Sequence, residues 1–271
     1  MADGPVVAPA LARLAAGLAL AAAIAAAARR ARSLSPSGAV AATVVGALCV
    51  GAGWSWGAIL IAFFVASTLL SRAGAERKER RVGGIVAKGG ERDATQVLAN
   101  GGVYAAAALA SMLAPGWPGW TAVGAAALAA ATADTWATEV GTLVGGVPRA
   151  ITSLRPVPPG TSGGVTVAGT LASLAGAGFV AALAWWAGWP GDAVRGAAIG
   201  GFAGATADSL LGATMQARRW CDRCAAATER AVHACGTPTR AAGGLVWLDN
   251  DRVNLAATVV GAGVGALLAV G

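Results

Sequence analysis

The sequence predicts an all-α fold, a polytopic membrane helix bundle of about 7–8 transmembrane helices. Three observations carry this prediction. Of 271 residues, 56% are hydrophobic and only 12% charged, with a mean hydropathy of +0.63, whereas a soluble domain carries about 25% charged residues. That composition excludes a disordered chain and a soluble enzyme. Apolar runs recur along the chain, each near the roughly 20 residues that a helix needs to cross a bilayer. The 40 glycines, among many alanines, supply small side chains that let helices approach closely in lipid.

The runs lie at 6–28, 38–53, 55–71, 95–114, 119–142, 164–187, 194–217 and 252–270. The first is Ala-rich like a signal-peptide core. It is long, however, follows Asp3 rather than a basic stretch, and precedes Arg29, Arg30 and Arg32, so it reads as a retained helix. The start also lacks the Arg- and Ser-rich amphipathic character of an organelle transit peptide. The second run is the shortest and is Gly-rich. With no long-period repeat and no low-complexity linker, residues 1–271 are expected to form one integral membrane domain, with a cytoplasmic loop at 218–250.

The net charge is +7 and the pI about 10.2, but 18 of the 20 basic residues fall in four islands, at 29–32, 72–92, 149–155 and 218–252. If all eight runs cross, the islands share one side. The positive-inside rule makes that side cytoplasmic and puts both termini outside. The opposite connections hold Trp54, Trp56, Trp117, Trp120, Trp185, Trp186 and Trp189, as an interfacial aromatic belt would. A multi-pass protein of the cell membrane is expected. Segment 72–93 is basic and amphipathic, suited to anionic headgroups; it lacks aromatics for base stacking, so no nucleic-acid partner is expected.

Function is sought where polar residues enter the apolar runs, because an ionisable group costs about 2.5–3.5 kcal/mol at a bilayer centre. The stretch A-T-A-D-T-W-A-T-E-V-G offers Asp134, Thr135, Thr138 and Glu139. Asp134 and Glu139 are about 140° apart on an ideal helix, so both reach one ion only if the helix unwinds or they approach from two sides. G-A-T-A-D-S-L-L-G-A-T-M-Q offers Asp208, Ser209, Thr214 and Gln216, and W-L-D-N-D-R-V-N offers Asp249, Asn250, Asp251 and Asn254. Helix capping accounts for Asp249 or Asn250 alone, not for four such residues together. Asp134, Asp208, Glu139 and Asp249 are the catalytic candidates, and Asp134, Asp208 and Asp251 the candidate Mg²⁺ ligands. Carboxylates would hold the cation while basic groups hold phosphates.

The loop R-P-V-P-P-G-T-S-G-G-V-T brings Arg155, Gly160, Thr161, Ser162, Gly163 and Gly164 to a helix mouth. Backbone amides and the helix dipole converge there on an anion, although the Walker A spacing is missing. Arg92, Gln96 and Asn100 step by four and share a helix face near Lys88 and Asp93. Together with Asn250 and Asn254 they complete the candidate phosphate and substrate contacts.

Cys221, Cys224, His233 and Cys235 form C-x-x-C-x8-H-x-C. The ligand types are those of a Cys₃His zinc site, and the spacing is atypical. Structural Zn²⁺ is weighed against unliganded thiols, with a disulfide disfavoured on a reducing face. Cys49, inside a run, reads as a packing residue.

These stretches resemble a family of integral membrane proteins, that of transmembrane protein 19 and the plant phytyl-phosphate kinase, domain of unknown function 92. The matching motifs are S-P-S-G-A, A-K-G-G-E-R-D-A-T-Q-V-L-A-N-G-G, A-D-T-W-A-T-E-V-G, P-P-G-T-S-G-G-V-T, D-S-L-L-G-A-T-M-Q and W-L-D-N-D-R-V-N, from about Ser35 to Asn254. The resemblance implies phosphorylation of phytyl phosphate to the diphosphate by a nucleoside triphosphate. A more distant similarity to CTP-dependent dolichol and phytol kinases makes CTP a candidate donor. By it Asp134, Asp208 and Asp249 or Asp251 hold Mg²⁺, and the 160–164 loop with Arg92 and Arg155 holds phosphates.

The expectation is a membrane kinase that makes an isoprenyl diphosphate from an isoprenyl monophosphate lipid. A lipid-alcohol kinase or cytidylyltransferase-like enzyme is the nearest alternative. A transporter or scramblase of a phosphorylated lipid is the rival from another class, and it calls for polar residues through the full bilayer depth.

Overall fold

The computed structural model describes residues 4–82, 85 and 90–271, with side chains from Ala12 onward; Lys88 lies outside the described residues. The helices in chain order are α1 (Gly4–Arg30), α2 (Pro36–Ala52), α3 (Trp54–Arg72), α4 (Ala75–Val82), α5 (Ala94–Leu113), α6 (Trp120–Val144), α7 (Val167–Trp186), α8 (Gly191–Arg195), α9 (Gly201–Thr214) and α10 (Asn250–Val270). A π-helical segment, Gly196–Gly200, joins α8 to α9. Each of the eight apolar runs is helical, and this is a polytopic helical membrane protein. By length and composition α1, α3, α5, α7 and α10 are apolar enough to cross a bilayer.

Helix α6 is the axis of the bundle. Positions 124–133 are buried without interruption, so no face of that stretch is open to solvent or lipid, as befits a helix inside a bundle. Such enclosure needs small partners. Ala122, Ala126 and Ala130 of α6, four residues apart, meet Gly196, Gly200 and Gly204 on one side and Gly261 and Gly265 on another. This is the small-xxx-small geometry of membrane helices. A Cβ on Gly204 would overlap Ala130, and one on Gly265 would overlap the carbonyl of Ala122.

The Trp-rich end is closed by packing. Trp56 is buried rather than interfacial: its ring lies 5.0 Å from Tyr104 and 4.7 Å from Trp189. The Tyr104 hydroxyl donates to the Trp56 carbonyl at 2.9 Å. Trp54, Trp185 and Trp186 stay exposed, so the aromatic belt is made by part of the predicted set.

At the other end the first two basic islands pack together, and the second reaches the end of α6. Arg29 pairs with Glu91 at 2.9 Å, Arg72 donates to Ser33 Oγ at 2.8 Å, and Arg81 donates to the last carbonyls of α6. The segment expected at headgroups contains α4, whose Lys78 turns inward and is buried.

Two small antiparallel sheets also lie at this end, where hydropathy indicates only loops. One pairs β1 (Arg149–Ala150) with β2 (Gly164–Val165). The other has the order β4-β3-β5, from β3 (Arg218–Cys221), β4 (Ala226–Thr228) and β5 (Arg240–Gly243).

Candidate functional site

The carboxylates of α6 and α9 meet. Asp134 and Asp208 interact directly through their side chains. With the Asn254 amide nitrogen turned toward its acceptors, it donates to Asp208 Oδ2 at 2.9 Å and to the Asn250 carbonyl at 3.2 Å. Three sequence clusters, from α6, α9 and α10, therefore converge on one point.

That point lies in a polar cavity of about 1050 Å³, the size of a large small-molecule site. Thr135, Thr138, Thr206 and Ser209 line it beside the carboxylates. Lys78, Arg81 and Arg92 enter from α4 and the segment before α5, and Arg230 from the loop after β4.

Arg92 is set by local rules. Its amide donates to the Ser33 carbonyl and its carbonyl accepts from the Ser35 amide, both at 3.0 Å. Ser35 caps α2 by accepting from the Gly38 amide at 3.1 Å. Gly38 has no room for a side chain, because a Cβ would overlap the Arg92 carbonyl. The S-P-S-G-A motif thus places Arg92, whose guanidinium donates to Thr68 Oγ1 at 3.1 Å and Ser71 Oγ at 3.3 Å. Burial pulls its pKa below the ordinary value, opposed by the charge of Glu139. Among the described residues its guanidinium hydrogen bonds go to neutral hydroxyls, with Glu139 the nearby opposite charge.

Gln96 and Asp93 form a capping box on α5, with bonds of 3.0 and 3.1 Å. Asn100 donates to the Gln96 carbonyl at 2.9 Å. The polar stripe of Arg92, Gln96 and Asn100 faces the cavity and also borders an apolar crevice between α1, α2, α3 and α5, walled by Ile24, Val45, Leu60, Phe63 and Phe64. Polar site and apolar crevice share these three residues and Thr135.

The Gly-rich loop closes over α9. Gly160 and Gly163 have φ of +82° and +74°, the left-handed region that favours glycine. A Cβ on Gly163 would collide with Ser209 and Ala213, so the loop rests directly on the turn after Asp208. Gly160, Thr161, Ser162, Gly163 and Gly164 all line the cavity. The amides of Thr161 and Gly164 serve turn carbonyls and do not face an anion. The N-terminus of α7, capped by Thr166, opens on the same cavity through Gly169 and Thr170.

Other predicted residues are placed differently. Helix α6 stays regular to Val144, so Glu139 does not join Asp134; it pairs with Lys78 and accepts from Ser71 Oγ at 2.6 Å. Asp249 is the N-cap of α10, accepting from the Arg252 amide at 3.0 Å and paired with the Arg252 side chain at 2.9 Å, and it is exposed outside the cavity lining. Asp251 is buried in the first turn of α10, also off the cavity. Arg155 is exposed, and only its backbone serves the loop. Asp249, Asp251 and Arg155 are thus turned away by helix phase or by a local turn, whereas Glu139 lines the cavity beside Lys78 and Ser71.

Sequence reading missed Lys78, Ser71 and Glu229 as site residues. Glu229 accepts from Ser162 Oγ at 2.6 Å and from Gln216 Nε2 at 2.7 Å, joining the Gly-rich loop to the end of α9. Its signal was available: it is one of two acids, with Asp222, in the basic stretch 218–248.

Comparison with known proteins adds the lineage. The family model of integral membrane protein DUF92 matches residues 19–262. The chain belongs to this family. Within the DUF92 family it is 32% identical to Protein PGR of Arabidopsis thaliana over 248 residues, covering 82% of this chain and 84% of the relative. It is 30% identical over 244 residues to an uncharacterized membrane protein of Methanocaldococcus jannaschii, covering 89% and 87%. An uncharacterized membrane protein of Synechocystis is 33% identical over 192 residues, covering 69% and 73%. No solved structure matches.

Proposed function

We propose that this DUF92 protein is a kinase of the cell membrane that transfers a phosphoryl group from a nucleoside triphosphate to an isoprenyl monophosphate, giving the diphosphate. One observation carries the reading: a single cavity joins an intramembrane carboxylate pair, a Gly-rich loop and cationic side chains, and it adjoins an apolar crevice between helices. A phosphorylated lipid has both chemistries in one molecule.

The donor set fits Mg²⁺. Two carboxylates in contact inside a bundle repel each other unless a proton or a cation lies between them, and the surrounding Thr, Ser and Asn groups offer the oxygens that this hard cation takes. Asp134 and Asp208 would hold the cation, which when bound would supply charge neutralisation on the transferring group. Arg92, which lines the same cavity, would hold phosphate oxygens. The Gly-rich loop, held on α9, borders the space for the phosphates, and the dipole of α7 favours their charge. An acceptor that is already a monophosphate ester is mostly ionised near neutral pH, its second pKa being about 6, so the site needs no histidine base. The isoprenyl chain lies in the crevice beside Gln96 and Asn100.

The one-sided site favours chemistry over transport, because the opposite end is closed by Trp56, Tyr104, Gly124 and Trp189. The test is incubation of purified protein with isoprenyl monophosphates, each nucleoside triphosphate and Mg²⁺, followed by mass spectrometry of the lipids. An isoprenyl diphosphate formed with consumption of one nucleotide is the expected result. Movement of the phosphorylated lipid across vesicles without any diphosphate would overturn the kinase reading in favour of a transporter.

A further inference from the structure

The segment 218–250 is a small β unit with little to hold it together. Strand β5 is wholly exposed, and the buried side chains are Cys221, Thr228, Thr239 and Leu248. Units below about 40 residues rarely fold on such a core without a disulfide, a metal or a partner.

Where an apolar core is lacking, four ligand-type side chains converge. One ligand atom from each of Cys221, Cys224, His233 and Cys235 lies within 4.8 Å of all the others. Cys221 Sγ and Cys235 Sγ are 3.7 Å apart, and His233 Nδ1 is 3.3 Å from Cys235 Sγ. Zn–S bonds of about 2.3 Å in a tetrahedron put two sulfurs about 3.8 Å apart, whereas a disulfide needs about 2.05 Å.

The backbone is shaped for the same purpose at two places. Cys221 and Cys224 sit at the β3–β4 turn, followed by Ala225 with φ +47°. His233 and Cys235 sit at a second turn, followed by Gly236 with φ +81° and closed by the His233 amide on the Thr237 carbonyl at 3.0 Å. Two ligand pairs, each at a hairpin tip and each followed by a left-handed residue, face each other across one point. A left-handed conformation at alanine is uncommon and costs about 1 kcal/mol or more, so something in the surroundings must hold Ala225 there.

We propose that Cys221, Cys224, His233 and Cys235 bind one structural Zn²⁺, which fixes the β4-β3-β5 sheet over the cavity and thereby positions Glu229 on Ser162. Glu229 directly follows β4 and lies four residues before His233. Its amide donates to the Ile85 carbonyl at 2.8 Å, and its carboxylate accepts from Ser162 and Gln216. The metal acts on the Gly-rich loop through this carboxylate, and Glu229 is a positioning residue. Metal binding does not depend on which reaction the cavity performs.

The test uses the full chain, purified in detergent from cells grown without added zinc. Elemental analysis is expected to give one zinc per chain, and exchange with Co²⁺ to give the thiolate-to-cobalt charge-transfer band of a tetrahedral site. Cys224→Ser, at the most exposed ligand, should lower the metal to background and raise hydrogen exchange across 218–245. Glu229→Gln should keep the zinc and raise exchange only around 158–164. Zinc-free protein that takes up no Co²⁺, or a Cys221–Cys235 disulfide in protein alkylated at harvest, would overturn the proposal even if Cys224→Ser fails to fold. Retained zinc with an unchanged 158–164 loop in Glu229→Gln would overturn its positioning half.

Discussion

In the half of the bundle nearer the Trp-rich end, α6 meets its neighbours through Ala122, Ala126 and Ala130 against glycines of the π segment, α9 and α10. Nearer the basic end, α6, α9 and α10 bring Asp134, Asp208 and Asn254 to a cavity of about 1050 Å³. One turn of helix separates the two regimes: the Ala130 Cβ sits directly against Gly204, and Asp134, four residues on, meets Asp208. Small residues hold the axes together so that the polar residues just beyond them meet at a fixed spacing. The packed half is the scaffold and the open half holds the candidate site.

The largest effect should come from breaking the open half. Asp134→Asn and Asp208→Asn keep volume and fold, and should lower turnover about 10²–10³-fold, the loss typical of removing one preorganised electrostatic contact. Kinetics on the purified variants, with circular dichroism to verify the fold, check this. Ser162→Ala removes the hydroxyl that donates to Glu229. A hydrogen bond to a charged group contributes about 1.5–3 kcal/mol, so turnover should fall by up to about 10–10²-fold while Mg²⁺ dependence stays normal.

Breaking the packed half should act on stability. Gly204→Val overfills the contact with Ala130 and should destabilise by about 1–3 kcal/mol, measured as a lower thermal midpoint in detergent. A smaller effect is expected just off the cavity. Asp249→Ala removes a helix cap and should cost about 1 kcal/mol with turnover intact, whereas Arg155→Ala, exposed and outside the cavity lining, should change neither quantity.

The same contrast explains what was legible in the sequence. Eight apolar runs and the intramembrane Asp134, Asp208 and Asn254 stand out because lipid penalises polar groups, so their presence alone is informative. In loops that penalty vanishes. Composition could not tell Lys78, which turns in to Glu139, from its exposed neighbours in α4, nor show that Asp249 caps its own helix while Asn250, the next residue, lines the cavity. The strands β3–β5 are too short for an alternating pattern, and the β3–β4 register is fixed at the turn that carries Cys221 and Cys224. Trp56 shows the converse limit: its place near a short connection suggests an interface, yet packing against Tyr104 and Trp189 draws it into the core.

In the proposed reaction Asp134 and Asp208 act together as a cation site within the polar half. Titration of the purified protein with Mn²⁺ in the presence of a nucleoside triphosphate, followed by electron paramagnetic resonance, tests this without relying on turnover. Wild-type protein should immobilise Mn²⁺, and Asp134→Asn, Asp208→Asn and the double variant should lose that signal while remaining folded. Undiminished Mn²⁺ binding in a folded double variant would contradict the assignment.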